Sequence, residues 1–224
     1  MKRPESSPPI KQGELIETVK RHAEKLFAGA RGSHDWEHTL RVCRLCRQIG
    51  SAEGADMDVL MAAAYLHDIG RCYQDSSNGE VCHAEKGAQM ARPIVEGLAL
   101  SSEQKANILH AVGSHRFRGP RQPETLEARV LFDADKLDAI GAVGVARAFL
   151  FAGEVGARLH NPDMNVEEAR PYSIDDTGYR EFKVKLSKVK DRILTRHGRK
   201  LAEARHEFMV KFFRRFLKEY EGKE

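Results

Sequence analysis

The sequence predicts an all-α fold, on three observations. Apolar residues recur at helical spacing through most of the chain, whereas no alternating stretch of useful length supports a strand. Capping or helix-breaking residues fall where the periodic runs begin and end. Neither an internal repeat nor a compositional break divides the 224 residues, which suffice for one sizeable core. The expectation is one helical domain over 13–224 behind a disordered tail at 1–12. A composition 41% hydrophobic and 31% charged fits a soluble globular protein.

The start, Met1-Lys2-Arg3-Pro4-Glu5-Ser6-Ser7-Pro8-Pro9, lacks the apolar core of a secretory signal, so a cytoplasmic location is expected. Leu15, Ile16, Val19, Leu26 and Phe27 mark a first helix, which Gly29-Ala30-Arg31-Gly32 breaks. Ser33 or His34-Asp35 opens a second, carrying Trp36, Leu40, Cys43 and Ile49 and ended by Gly50 and Gly54. Asp56 caps a third over Met57–Ile69, apolar on most sides and therefore buried. Residues 71–81 are polar and hold the turn cluster Ser76-Ser77-Asn78-Gly79.

Residues 83–98 are helical again, and Ser101 offers a cap for the helix containing Ala106–Val112. Two Gly and two Pro make 113–123 a loop. Thr125–Phe132 runs into Asp133–Gly141, which leads to a small-residue helix over Ala142–Phe151. Residues 153–178 lack periodicity; loops of that length are uncommon and usually functional or disordered, so this one is a candidate lid. Two long amphipathic segments close the chain. The first holds Phe182, Leu186, Val189 and Ile193; the second holds Leu201, Phe208, Phe212, Phe213, Phe216 and Leu217.

A net charge of +4 is too small to argue for a nucleic-acid partner, and no apolar run is long enough to span a bilayer. The basic excess at 183–200 reads as a solvated helix face; a field attracting phosphorylated ligands is the alternative. Cys43 and Cys46 form a C-x-x-C inside a helical pattern, without the second pair of a zinc site or the β-α context of a redox motif. They read as small buried residues.

Chemistry is concentrated in the central half. His34 and His38 lie one helical turn apart. The apolar run Ala62–Leu66 leads straight into His67-Asp68 and then Gly70, and Asp133 and Asp135 sit at the expected start of a later helix. His83, His110 and His115 lie between. Alone, His67-Asp68 reads as an ordinary helix end.

Three motifs in order make the chain resemble the HD-domain metal-dependent phosphohydrolases. They are His38 in H-T-L-R-V, His67-Asp68 in Y-L-H-D-I-G-R, and Asp135 in F-D-A-D-K-L-D-A. The run from Ser33 to Val42, the segment Asp133–Ala142, the following G-V-A-R-A-F and a C-terminal pattern through Thr195, Gly198, Arg199 and Arg205 are similar to a bacterial branch, the YedJ/YpgQ-like proteins. The likeness covers about 29–222 and implies an HD-domain helical bundle.

The resemblance implies that His38, His67, Asp68 and Asp135 bind one divalent ion. A mixed N/O donor set suits Mn²⁺ or Mg²⁺, with Fe²⁺, Co²⁺ and Ni²⁺ also compatible. Asp68 is the expected catalytic carboxylate, steering the attacking water. His34, His83 and His115 are candidates for substrate or a second metal; His34 could instead cap its helix. Arg41, Lys136, Arg116 and Arg118 are candidates for phosphate. Asp133 and Asp138 could orient a metal-bound His, with helix capping the alternative for Asp133. The implied activity is hydrolysis of a small phosphorylated substrate, with a nucleotide the expected class and conversion of a nucleoside triphosphate to monophosphate and pyrophosphate implied by the closer branch. Alternatives are a nucleotide phosphomonoesterase or phosphodiesterase, and a non-catalytic nucleotide-binding regulator.

Overall fold

A computed structural model describes residues 12–27, 35–77, 80–116 and 121–223. The helices are α1 (Gln12–Leu26), α2 (Trp36–Glu53), α3 (Met57–Leu66), α4 (Arg71–Ser76) and α5 (His83–Glu96). They continue with α6 (Ser102–Ser114), α7 (Leu126–Asp138), α8 (Gly141–Glu154), α9 (Gly178–Val184) and α10 (Arg196–Tyr220). Short 3-10 turns at Leu186–Lys188 and Lys190–Arg192 join α9 to α10, and no strand occurs among the described residues. The fold is all-α, as the periodicity predicts. The first 11 residues, the Gly-rich break after α1, His34 and Arg118 lie outside the described residues.

Helix α3 is the centre of the packing. Val59–Leu66 are buried without interruption, and α1, α2, α6 and α7 all pack against them. Asp56 caps α3 by accepting from Asp58 N (3.0 Å) and Val59 N (3.2 Å). The helix stops at Leu66, three residues earlier than expected, so His67-Asp68-Ile69-Gly70 form a turn at its end. Helix α2 is capped by Asp35, which accepts from His38 N at 3.0 Å. It runs through Gly50 and ends at Gly54, whose φ of 78° lies in the left-handed region. Gly50 serves packing instead: a Cβ there would lie 2.3 Å from Leu60 Cδ2.

Three further segments differ from the expectation. Part of the polar stretch after the turn forms α4. Helix α7 is continuous through Asp138, so Asp133 and Asp135 lie in its C-terminal half and not at the start of a later helix. Phe132, Ala134 and Leu137 keep its inner face buried across the expected break. The segment holding Phe182, Leu186, Val189 and Ile193 is not one long helix. Lys185 leaves the helical region at φ −134° and the chain continues in 3-10 turns, yet all four apolar residues, Phe182 on α9 and the other three beyond it, are buried.

Asp133 accounts for the end of that segment. Its carboxylate accepts from Leu194 N (2.9 Å), Thr195 N (2.7 Å) and Thr195 Oγ1 (2.6 Å), while Thr195 Oγ1 accepts from Gly198 N (3.1 Å) at the start of α10. Asp133 therefore anchors α10, neither capping its own helix nor bonding a histidine. Helices α8, α9 and α10 share an aromatic cluster around Phe213, which stacks on Phe182 at 4.5 Å between ring centroids. No helix of the described residues is long and apolar enough to cross a membrane.

Candidate metal centre

Six side chains converge from five parts of the fold. Helix α2 presents His38, the turn after α3 presents His67 and Asp68, α5 begins with His83, His115 caps the end of α6, and α7 carries Asp135. Gly70 lets these elements meet. A Cβ on it would lie 2.4 Å from His83 O and 2.6 Å from Gly87 N, so the turn and the first part of α5 touch through backbone. This close approach is the physical use of the glycine in H-D-I-G-R.

Asp68 stands between two groups. Its Oδ2 lies 3.8 Å from His38 Nε2 and 3.9 Å from His67 Nε2. Its Oδ1 lies 3.5 Å from His83 Nε2 and 3.6 Å from His115 Nε2. His38 Nε2 is 3.4 Å from Asp135 Oδ1 and 3.4 Å from His67 Nε2. The ligand atoms of His38, His67 and Asp135 lie within 4.8 Å of one another, as do those of Asp68, His83 and His115.

Hydrogen bonds on the far side of each ring assign its chemistry. His67 Nδ1 donates to Ala64 O (2.8 Å), His115 Nδ1 to Val112 O (2.7 Å) and His83 Nδ1 to Gln74 Oε1 (2.7 Å). In the neutral rings this turns the Nε2 lone pairs inward. His83 and His115 bring two such nitrogens to 3.1 Å. Facing acceptors with carboxylate oxygens beside them call for a cation or a proton between them. The donor set of imidazole nitrogen and carboxylate oxygen, with no thiolate, fits a divalent ion of borderline or hard character. Cys43 and Cys46 are buried on α2 as expected, and burial pushes the Cys43 thiol up to about 12.

The electrostatics separate the histidines. Burial lowers His67 to about 4, against a smaller opposing pull from Asp68. Burial, reinforced by His115, lowers His83 to about 3. Burial acts the same way on His38, but hydrogen bonds to Asp135 and Asp138 overcome it and raise that imidazole to about 9. Burial would raise Asp135, yet Lys136 and His38 hold its carboxyl well below the usual range.

Around this centre, Asp138 orients His38. It accepts from His38 Nδ1 at 2.8 Å, from Arg41 Nε at 2.8 Å and Nη2 at 3.1 Å, and from Arg147 Nη1 at 2.7 Å. Arg41 thus sits bidentate on Asp138 and lines a separate small recess, not the cleft at the six side chains. Lys136 pairs with Asp135 Oδ2 and donates to His115 O at 3.1 Å, tying α7 to the end of α6. His110 is structural: its Nε2 accepts from Glu124 N at 3.0 Å.

A cleft of about 470 Å³ opens from Asp68, His83 and Asp135. Arg71, Arg116, Lys136, Arg147 and Lys185 place cations on its walls, and Pro171 and Tyr172 bring the irregular stretch between α8 and α9 to it. Sequence reasoning did not single out Arg71, Gln74, Arg147 or Tyr172. For Arg147 a signal existed, since it lies in the G-V-A-R-A-F run.

This helical fold, with His and Asp side chains grouped for a divalent ion, defines a metal-dependent hydrolase of the HD superfamily. The HD domain model matches residues 35–140, and the chain belongs to that family. Within it, the chain is 32% identical over 217 residues to the uncharacterised protein YpgQ of Bacillus subtilis (strain 168), covering 95% of this chain and 96% of YpgQ. The crystal structure of B. subtilis YpgQ in complex with ADP superposes with a TM-score of 0.71 at 28% identity, over 94% of this chain and 97% of that one. An HD-superfamily hydrolase from Bacillus thuringiensis superposes at 0.74 with 26% identity, over 94% and 99%. The resemblance to the YpgQ-like branch holds along nearly the whole chain.

Proposed function

We propose that the chain hydrolyses nucleotides, cleaving a nucleoside triphosphate to monophosphate and pyrophosphate. The observation that carries this reading is Asp68, set between two His groups at the closed end of a cation-lined cleft. The complex of the related YpgQ with ADP supports the nucleotide class. His38, His67, Asp68 and Asp135 would hold one divalent ion, Mn²⁺ or Mg²⁺. When bound, such an ion supplies Lewis acidity that activates water and polarises a phosphoryl oxygen.

The chain's own groups do the rest. Asp138 fixes the His38 ring so that Nε2 faces the site. Asp68 takes the proton of the attacking water on Oδ1. The Nε2 atoms of His83 and His115 face that oxygen at 3.5 and 3.6 Å. Arg71, Arg116 and Lys136 neutralise phosphate charge along the cleft, and the α8–α9 stretch covers its rim as a lid. The grouping of Asp68, His83 and His115 within 4.8 Å favours a second reading, in which those three hold a second ion.

The test is product analysis with Mn²⁺ or Mg²⁺ over a panel of nucleotides and simple phosphoesters. Pyrophosphate from nucleoside triphosphates is expected. Phosphate alone points to the phosphomonoesterase alternative, and release of neither product overturns the enzyme reading. Metal content that is the same in wild type, His83→Ala and His115→Ala, at one ion per chain, eliminates the two-ion form.

A further inference from the structure

Tyr172 holds an aromatic ring where the cleft meets solvent. Asp68, at the closed end, is 3% exposed, whereas Tyr172 is 76% exposed and still lines the cleft. Its ring meets that of Phe151, another lining residue, edge-on at 5.7 Å between centroids. Among the described residues Tyr172 is the only non-glycine with positive φ, at 59°. A side chain there strains the backbone, and glycine or asparagine would be the ordinary occupant.

The surroundings hold this conformation firmly. Tyr172 N donates to Asp176 Oδ2 at 2.7 Å, Asp176 Oδ1 accepts from Arg180 Nη1 at 2.8 Å, and Arg180 Nε donates to Ala169 O at 3.0 Å. Asp176 and Arg180 are buried. None of these bonds uses the tyrosine ring, so the turn forms without an aromatic side chain. The ring is an exposed flat surface on a hydrogen-bonded turn, and the cleft it shares with Asp68 is also lined by Arg71, Arg116 and Lys185, the last paired with Glu181 at 2.6 Å.

We propose that Tyr172, edged by Phe151, is the platform on which the substrate's base stacks while its phosphates reach the His/Asp centre. The inference rests on the nucleotide reading above and adds the element that distinguishes a nucleotide from a bare polyphosphate. Stacking needs an aromatic face and no hydrogen-bond partner, so it accepts different bases.

The experiment compares KM for a nucleoside triphosphate with KM for inorganic tripolyphosphate in wild type, Tyr172→Ala, Tyr172→Phe and Tyr172→Gly. Base–aromatic stacking sets the expected effect: Tyr172→Ala and Tyr172→Gly raise the ratio of nucleotide KM to tripolyphosphate KM about tenfold, and Tyr172→Phe keeps it. Tyr172→Gly is expected to melt at or above the wild-type Tm, because glycine relieves the strained φ. Equal effects on both substrates, or none on either, overturn the stacking role. Wild-type protein that cleaves tripolyphosphate but no nucleotide overturns the nucleotide reading itself, and this inference with it.

Discussion

Gly70→Ala tests whether the site depends on backbone contact between the turn after α3 and the start of α5. A Cβ at Gly70 would lie 2.4 Å from His83 O, 2.6 Å from Gly87 N and 3.0 Å from Gly87 Cα. All three are backbone atoms, so no rotamer change relieves the clash. Ordinary contact requires α5 to withdraw by about 1 Å at its first turn. His83 begins that turn, and its Nε2, now 3.5 Å from Asp68 Oδ1, withdraws with it. Overpacking of this kind costs about 1–3 kcal/mol of stability, and a 1 Å displacement of a catalytic group can cost about 10²-fold in rate. The assay is thermal melting together with steady-state turnover at saturating metal. The expected result is a lower Tm and a large fall in kcat, with the ion at His38 and Asp135 still bound. Wild-type Tm and turnover in Gly70→Ala would refute the reasoning.

Asp138→Asn removes the carboxylate that orients His38 and is expected to weaken metal binding about 10–100-fold by calorimetry; unchanged affinity would show that Arg41 and Arg147 alone hold the ring's surroundings. Proton competition gives a sign for pH. His38 in the metal-free protein titrates at about 9 and must lose its proton to act as a ligand. Apparent metal affinity should therefore rise with pH, by up to about tenfold per unit, and level off above that value, as read by titration against a chelating dye. Affinity independent of pH would count against His38 as a ligand. Asp133→Ala strands the donors of Leu194 N, Thr195 N and Thr195 Oγ1 and is expected to cost about 3 kcal/mol or more, lowering Tm while leaving metal content unchanged.

What was legible in the sequence was what side-chain type and spacing carry. Helical periodicity marked α2, α3 and α10, and Asp56 and Ser101 marked starts that the structure caps as expected. The order of His38, His67-Asp68 and Asp135 was visible through the resemblance to the HD-domain family, and His67-Asp68 stood out because it follows an apolar run, where an unpaired charge is costly. What was not legible depends on partners distant in sequence. The bond from His38 to Asp138 spans 100 positions, and the residues on either side of Asp138 do not say which ring it meets. Asp133 looked like a cap or a metal-centre residue until the structure paired it with Leu194 and Thr195. That pairing fixes the chain at Leu194 and Thr195, beyond the point at Lys185 where it has already left the helix that the apolar spacing of Phe182–Ile193 predicts. Arg41 looked available for phosphate and is instead committed to Asp138. Tyr172 carried no signal, since a left-handed backbone at a tyrosine has no counterpart in composition or periodicity.

The central claim is that Asp68 both holds the divalent ion and takes the proton of the attacking water. It is tested most directly by turnover of wild type and Asp68→Ala on a nucleoside triphosphate, each with Mn²⁺ and with chelator, alongside circular dichroism. The expected result is turnover only in wild type with metal, with helix content nearly the same in both proteins. Near-wild-type turnover by Asp68→Ala, or turnover by wild type in chelator, would contradict it.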